Sequence, residues 1–300
     1  GKNIAIGVQA LEDQNAGANA FNIAIGHQAG RDITTGGENT IIGGLAGDAL
    51  TTGTRNVAIG YHALGGEDAH GKNVAIGYQA LKAQDAGADA YNAAIGYSAG
   101  ETISTGTHNS ILGGKAGDAL TTGAHNTAVG YAALSSEDTG TANTAIGSGA
   151  LNTFNFAGNG YNTAVGYNAG VLVTTGVNNV IIGALAGDAM TEGETNVLIG
   201  AQAGSGITTG DKNTAIGYKA LKTEDANGFN TAVGYQALET LNAGANGYNV
   251  AVGVDAGNAM TTGTANTLIG AQAGDAILGA SNNTALGFAA MGATTTGDLN

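Results

Sequence analysis

One short pattern of polar and apolar positions recurs along the whole chain. It consists of Asn, any residue, then Ala, Ile or Leu, then Ile, Val or Leu, then Gly. With the Asn as position 0, Gly stands at +4 and Ala at +7 in all 17 occurrences. Successive occurrences are 17 or 19 residues apart, which predicts a repeat protein with one small structural unit per period. The pattern begins at Asn3, Asn22, Asn39, Asn56, Asn73, Asn92, Asn109, Asn126, Asn143, Asn162, Asn179, Asn196, Asn213, Asn230, Asn249, Asn266 and Asn283.

Each repeat is predicted to hold one short β-strand. Position +1 is mostly β-branched and +3 is always Ile, Val or Leu, so these two share one face of a strand while +2 takes the other. The Gly at +4 suits a bend or a close backbone approach. A 17-residue period is too short for a helix pair or a propeller blade. The predicted fold class is therefore all-β, a parallel β-solenoid (β-roll) of 17 coils with a 17- or 19-residue period, forming one array over residues 1–300.

Two kinds of coil occur in this array. In one, +8 is Gly and a Thr-Thr-Gly sequence usually follows; in the other, +8 is Leu and an acidic stretch follows. The four 19-residue coils close with an aromatic side chain, at Phe21, Tyr91, Tyr161 and Tyr248. An eighteenth Asn, Asn300, stands 17 residues after Asn283, and the opening Gly1-Lys2 repeats as Gly71-Lys72. We expect from this phasing that the chain is a slice of a longer fibre.

The strand pattern also predicts how the coils associate. Both strand faces are apolar, although a lone solenoid needs only one apolar face. The small face at +2 is expected to need a cover, and a close parallel homotrimer would supply it. The repeated Asn is expected to form a hydrogen-bonded ladder, and the repeated Tyr at +5 a stack along the coils.

Composition narrows the possible functions. The chain has 54 Gly, no Pro and no Cys, and a formal net charge of −14. Collagen needs Pro and strict Gly periodicity, disordered chains need more charge, and a nucleic-acid partner needs a basic surface. Without Cys there are no disulfides or thiolate ligands, and no apolar run reaches the ~18 residues of a membrane span. We therefore expect no nucleic-acid partner and no membrane insertion by this segment.

Several residue groups resemble reactive or metal-binding sites. The stretch from Gly96 to Gly100 matches the G-x-S-x-G nucleophile elbow, but its glycines belong to the repeat and Ser98 has no counterpart in other coils. His108 and His125 precede the Asn of adjacent coils and should stack about one rung apart, within reach of a shared metal. In the same column, Glu38, Arg55 and Lys72 could pair weakly.

Acidic and hydroxyl side chains form further recurring groups. Glu-Asp pairs recur at +11 and +12, where calcium ligation is possible but solvation is the favoured role. An Asp recurs in Ala-Gly-Asp-Ala turns, where bonding to the backbone is favoured, and the Thr-Thr-Gly runs allow a short ice-binding array. No residue is assigned as catalytic, cofactor-binding or metal-binding, and no cofactor is predicted. These groups are the pairs Glu67/Asp68, Glu137/Asp138 and Glu224/Asp225, the turn residues Asp48, Asp118, Asp188 and Asp275, and Thr34 and Thr51 in the Thr runs.

The repeat resembles that of two known groups of fibre proteins. The Asn-Thr-Ala-Ile-Gly word with Ala at +7 is similar to the head repeats of YadA-like trimeric autotransporter adhesins, whose coils are shorter. The sequences NTAIGYKAL at 213–221 and NTAVGYQAL at 230–238 look like repeats of phage tail fibres. The resemblance covers the whole chain and implies left-handed parallel β-rolls assembled as trimers, without catalytic residues.

The expected function follows from fold and resemblance together. We expect a non-enzymatic structural and adhesive fibre segment, extracellular on a virion tail fibre or a bacterial surface. It would present a receptor-binding tip to a target cell, which other parts of the fibre contact. A self-assembling extracellular filament or sheath is the first alternative, and an ice- or glycan-binding solenoid is the second.

Overall fold

The computed structural model shows an all-β parallel solenoid. It describes residues 2–16, 19–293 and 297–298. Gly1 and Asn300, on which the expectation of a longer fibre depends, lie outside the described residues. Within the described part every regular element is a three-residue strand, and there is no helix. The strands are β1 Ile4–Ile6, β2 Ile23–Ile25, β3 Thr40–Ile42, β4 Val57–Ile59, β5 Val74–Ile76, β6 Ala93–Ile95, β7 Ser110–Leu112, β8 Thr127–Val129, β9 Thr144–Ile146, β10 Thr163–Val165, β11 Val180–Ile182, β12 Val197–Ile199, β13 Thr214–Ile216, β14 Thr231–Val233, β15 Val250–Val252, β16 Thr267–Ile269 and β17 Thr284–Leu286.

The strands belong to two compact units. One consists of Gly1–Ser148 with Asn155–Asn159 and carries β1 to β9; the other consists of Gly149–Phe154 with Gly160–Asn300 and carries β10 to β17. Inside each unit every strand pairs in parallel with the next one along the chain, and equivalent repeat positions face each other, as Thr40 faces Val57. The predicted parallel β-solenoid is confirmed.

The Asn at position 0 forms a buried ladder. The side-chain Oδ1 of Asn109 accepts a hydrogen bond from the backbone N–H of Asn126 at 3.0 Å, and Asn126 repeats this with Asn143 at 3.0 Å. The Nδ2 of Asn126 donates to the carbonyl of Gly140 at 2.8 Å, across the turn of its own coil. Each Asn thus satisfies backbone groups that water cannot reach. The predicted ladder is confirmed.

The Gly at +4 is required by the neighbouring coil. Gly130 has φ of +129°, and a Cβ there would lie 2.6 Å from the carbonyl oxygen of Gly147, the equivalent residue one coil on. A side chain would therefore push the coils apart and break the ladder. This contact explains why no other residue occupies +4 in any repeat.

The turns use left-handed backbone at non-glycine residues as well. Position +6 and the residue before the Asn have positive φ, as at His62, Lys115 and Arg55, where φ is 56°, 56° and 60°. Such conformations are costly for isolated L-residues. Their own backbone N–H groups donate to carbonyls of the preceding coil, as Lys115 does to Tyr97 at 2.8 Å, and this holds them in place.

The core lies on the opposite side of the strands from the one predicted. Position +2 is inward: Ala128 and Ile111 are at most 2% exposed, and the same holds for the other +2 residues from Ala24 to Ala285. Positions +1 and +3 face outward. The prediction that the +2 face needs an external cover is wrong, because the +2 side chains, small as in Ala128 or large as in Ile111, are buried inside the coil with the Ala at +7.

The two coil types fill the core from different positions. Where +8 is Gly, a large side chain at +11 takes the space: a Cβ on Gly117 would lie 2.8 Å from Cδ1 of Leu120. Where +8 is Leu, as at Leu134, that side chain is itself fully buried, although its φ is +53°. A large apolar side chain therefore enters the core at +11 in the first type and at +8 in the second, and the coil beginning at Asn230 buries one at both positions, Leu238 and Leu241.

Candidate functional surface

The outward face of the strands forms an apolar surface, which we call the sheet face and define as positions +1, +3 and +5 of each coil. No Asp, Glu, Lys or Arg occupies any of these positions in the 17 repeats. Aliphatic side chains on it remain open to solvent: Ile95 is 39% exposed and Leu112 is 49% exposed. Contiguous exposed apolar surface of this kind is typical of interaction sites.

Aromatic rings extend the sheet face at +5. Tyr61, Tyr78 and Tyr97 stack in sequence with ring centroids 5.6 and 5.2 Å apart, and Tyr218 stacks on Tyr235 at 5.5 Å. The predicted Tyr stacking is confirmed for these two runs. Tyrosine suits an interface because its ring offers rigid apolar area while its hydroxyl tolerates water.

Charged side chains lie elsewhere on the coils, in the column just before the Asn. Arg55 pairs with Glu38 at 2.7 Å, as predicted. Lys72 instead pairs with Asp89 at 2.6 Å and lies over the ring of Tyr91, 4.8 Å from its centroid. These contacts are exposed and contribute little to folding.

His108 and His125 belong to the same column. Their rings stack with centroids 5.0 Å apart, and Tyr91 continues the stack at 5.3 Å from His108. The predicted one-rung spacing of the histidines is confirmed. Tyr91, His108 and His125 therefore form one continuous stack of aromatic rings.

The glutamates of the acidic pairs are not solvated. Glu67, Glu137 and Glu224 are fully buried, whereas their Asp neighbours are accessible. The favoured role of solvation is wrong for these glutamates, because position +11 faces the core in both coil types. Burial raises the pKa of all three carboxyl groups, against a smaller lowering by hydrogen bonds from neighbouring groups.

The Asp residues of the Ala-Gly-Asp-Ala turns behave largely as predicted. The carboxylates of Asp48, Asp118 and Asp188 each interact with their own backbone N–H. Partial burial nevertheless raises the pKa of these groups, since desolvation outweighs the hydrogen bond. One oxygen of Asp48 and one of Asp275 have no hydrogen-bond partner.

The serine and threonine candidates form hydrogen bonds to backbone carbonyls of neighbouring coils. Ser98 is 4% exposed, and its backbone N–H donates to the carbonyl of Tyr78 at 2.8 Å. The first Thr of the Thr-Thr-Gly runs turns its hydroxyl to a carbonyl of the next coil, as Thr51 does to Asp68 at 3.0 Å. A hydroxyl used in this way is less available to order water on a flat array.

Sequence analysis missed two side chains near the first buried glutamate. One donor atom each of Glu67, Asp68, His70 and Asp85 lies within 4.8 Å of the others. His70 follows Glu67 by three residues, and Asp85 occupies +12 one coil after Asp68. Aligning consecutive coils for all titratable residues, and not for the Glu-Asp pairs alone, would have found them.

Comparison of the chain with protein-family models, curated proteins and solved structures found no match. Among the described residues, no helix has the length and apolarity needed to cross a membrane.

Proposed function

We propose that this chain is a structural segment of an extracellular fibre, assembled as a parallel homotrimer through the sheet face. The observation that carries the proposal is the outward sheet face at +1, +3 and +5, which is uncharged in every coil and leaves aliphatic side chains such as Ile95 and Leu112 open to solvent. The face lies opposite the side predicted from the sequence, but the requirement for a cover is the same. Its function is mechanical: it holds a receptor-binding tip away from a virion or a bacterial surface.

Copies of the same chain are the occupants that best suit this face. A partner without charge at the contact fits a surface without charge, and equivalent coils of a parallel copy repeat at the same rung spacing. Apolar and aromatic side chains at +3 and +5 supply the area that a stable interface needs. The resemblance to trimeric adhesin heads and tail-fibre repeats supports three copies and an extracellular location.

The first test is the mass of the purified chain in solution by light scattering. A homotrimer gives a mass near three times 29.1 kDa. The variant Ile95→Lys with Leu112→Lys places two charges on the sheet face and is expected to yield monomers, because each lysine would be buried without a partner.

A matched control uses the same two coils. Thr105→Lys with Thr122→Lys adds the same charges at exposed turn positions and should remain trimeric. A monomeric wild-type chain would overturn the proposal and favour a single-chain surface binder. A trimer that survives both pairs of substitutions would show that another surface forms the interface.

The ice-binding alternative has its own measurement. Thermal hysteresis should be absent, because the first Thr hydroxyls donate to the backbone and the longer aliphatic and aromatic side chains dominate the exposed face. A hysteresis activity that disappears on substituting Thr122 would revive that alternative. The filament alternative predicts masses that grow with concentration beyond three chains.

A further inference from the structure

The turn after Leu64 contains a buried carboxylate that is only half satisfied. The Oε1 atom of Glu67 accepts a hydrogen bond from the backbone N–H of His70 at 3.0 Å. Its Oε2 atom is buried and has no hydrogen-bond partner. A buried carboxylate oxygen in this state is costly, so a ligand that contacts it would stabilise the turn.

Three further donors surround this carboxylate. His70 Nδ1 lies 3.5 Å from Glu67 Oε1 and makes no hydrogen bond, and Asp68 and Asp85 complete a group whose donor atoms lie within 4.8 Å of one another. Glu67, Asp68 and His70 belong to one coil and Asp85 to the next. Both aspartates are exposed and His70 is partly exposed, so an ion has access from solvent.

The same turn occurs twice more without these features. At Glu137, Oε1 accepts from Gly140 N–H at 2.6 Å and Oε2 from Phe156 N–H at 3.4 Å. At Glu224, both oxygens accept from asparagine Nδ2 groups, at 3.1 and 3.5 Å. The equivalents of His70 are Gly140 and Asn227, and those of Asp85 are Asn155 and Asn242. Only the first turn has an imidazole, a third carboxylate and an unsatisfied buried oxygen together.

The charge of the first turn is not neutralised by the protein. None of the ion pairs between Lys or Arg and carboxylates in the described part of the chain involves Glu67, Asp68 or Asp85. Three carboxyl groups therefore lie close together beside one imidazole. A divalent cation would offset their mutual repulsion and contact the unsatisfied oxygen.

We propose that Glu67, Asp68, His70 and Asp85 form a binding site for a divalent transition-metal ion of the Zn²⁺ type, which links two consecutive coils. One imidazole nitrogen with carboxylate oxygens is a donor set that Zn²⁺ accepts, whereas Ca²⁺ and Mg²⁺ take oxygen ligands alone. Tetrahedral Zn²⁺ ligands lie about 3.5 Å apart, so the exposed Asp68 and Asp85 need only small rotations to close the site. The site lies within one chain and is independent of the number of chains in the fibre.

Isothermal titration of the full chain with Zn²⁺ tests the site. We expect one high-affinity ion per chain and a rise in melting temperature with Zn²⁺ concentration. The variant His70→Asn with Asp85→Asn should bind that ion at least ~100-fold more weakly, because it loses two of four ligands. Both substitutions copy residues that the chain itself uses at the equivalent positions of the Glu224 turn, so the fold is expected to be retained, which circular dichroism checks.

A second variant separates this site from the stacked histidines. His108→Asn with His125→Asn removes the other pair of neighbouring imidazoles, using the residue found at the same position as Asn178 and Asn282. Zn²⁺ binding should be unchanged in this variant. Binding that is lost here, binding that survives in the His70 and Asp85 variant, or no Zn²⁺ binding by the wild-type chain would each overturn the proposal. Tighter binding of Ca²⁺ than of Zn²⁺ would overturn the assigned class of ion.

Discussion

Two adjacent coils of the first unit fill their cores with a leucine at different positions of the repeat. The coil beginning at Asn109 has Gly117 at +8 and fills the core with Leu120 at +11. The coil beginning at Asn126 fills it with Leu134 at +8, and its +11 position then holds the buried Glu137. The ladder, the strand and the Gly at +4 are the same in both coils.

The difference shows which core position of a coil accepts a polar side chain. In the Asn126 coil Leu134 at +8 fills the core and +11 holds a polar group, whereas the Asn230 coil buries both Leu238 at +8 and Leu241 at +11. In the Asn126 coil that polar group closes the turn by accepting backbone N–H groups. Among the described residues, the fully buried carboxyl side chains all belong to coils of this second type.

Exchanging the two solutions within one coil should have the largest effect. Gly117→Leu alone overpacks the coil against Leu120, and Leu120→Glu alone removes a buried apolar side chain and buries a carboxyl group. Each single change is expected to lower the free energy of unfolding by about 3 kcal/mol or more. The double variant moves the large side chain from +11 to +8, as in the Asn126 coil, while it keeps Ile111 at +2, and it should cost about 2 kcal/mol less than the sum of the singles. Denaturant titrations of the four proteins measure this coupling, and strict additivity would contradict the shared-volume argument.

Breaking the ladder should affect both coil types equally. Asn126→Ala removes the bonds to Asn143 N–H and to the carbonyl of Gly140, and Asn109→Ala removes the corresponding pair. We expect a loss of about 2–3 kcal/mol for each, since buried backbone groups lose partners. Unfolding midpoints that differ widely between the two variants would show that the coil types do not share one ladder energetically.

The pH dependence of stability should come from the coil that buries Glu137 and not from its neighbour, which has Leu120 at the same position. Burial raises the pKa of Glu137 above its ordinary value of 4.5. The folded state therefore holds a proton that the unfolded state releases, so its contribution to stability is complete below pH 4.5 and is lost as the pH rises through the raised pKa. Glu137→Gln should flatten the fall in melting temperature as the pH rises above 4.5, the ordinary pKa of a glutamate. Leu120→Ala, in the neighbouring coil, should lower the melting temperature without changing that slope, and an unchanged slope in Glu137→Gln would refute the assignment.

The smallest expected effect concerns the hydroxyl bond between these coils. The hydroxyl of Thr121 donates to the carbonyl of Asp138 at 3.0 Å. Thr121→Val should therefore cost about 0.5–1 kcal/mol. Thr122→Val, at the exposed neighbouring position, should change the unfolding midpoint by less. Equal effects from both substitutions would mean that the hydroxyl bond contributes nothing measurable.

The sequence was sufficient to predict the fold and the ladder, because Asn, Gly and Ala recur at fixed positions and each has one clear structural use. It was not sufficient to predict which strand face is buried. Alternation alone cannot distinguish two apolar faces, and side-chain size does not decide between them, since the small Ala128 and the large Ile111 both take the inside. The turn that contains Glu67 was also predicted only in part. A glutamate in an acidic stretch is ordinarily expected at the surface, and only the structure shows that Glu67 is buried.

The close contact between glycines of successive coils has a consequence for inheritance. Gly130 is constrained by Gly147, and the ladder passes from Asn to Asn, so a coil depends mainly on its immediate neighbours. Unequal crossing-over in the gene that removes or adds one whole coil restores the same contacts at the new junction. The starts of successive 19-residue coils are 70 residues apart twice and then 87 residues apart, a difference of one 17-residue coil. Length can therefore change in steps of single coils without altering the contacts at a junction.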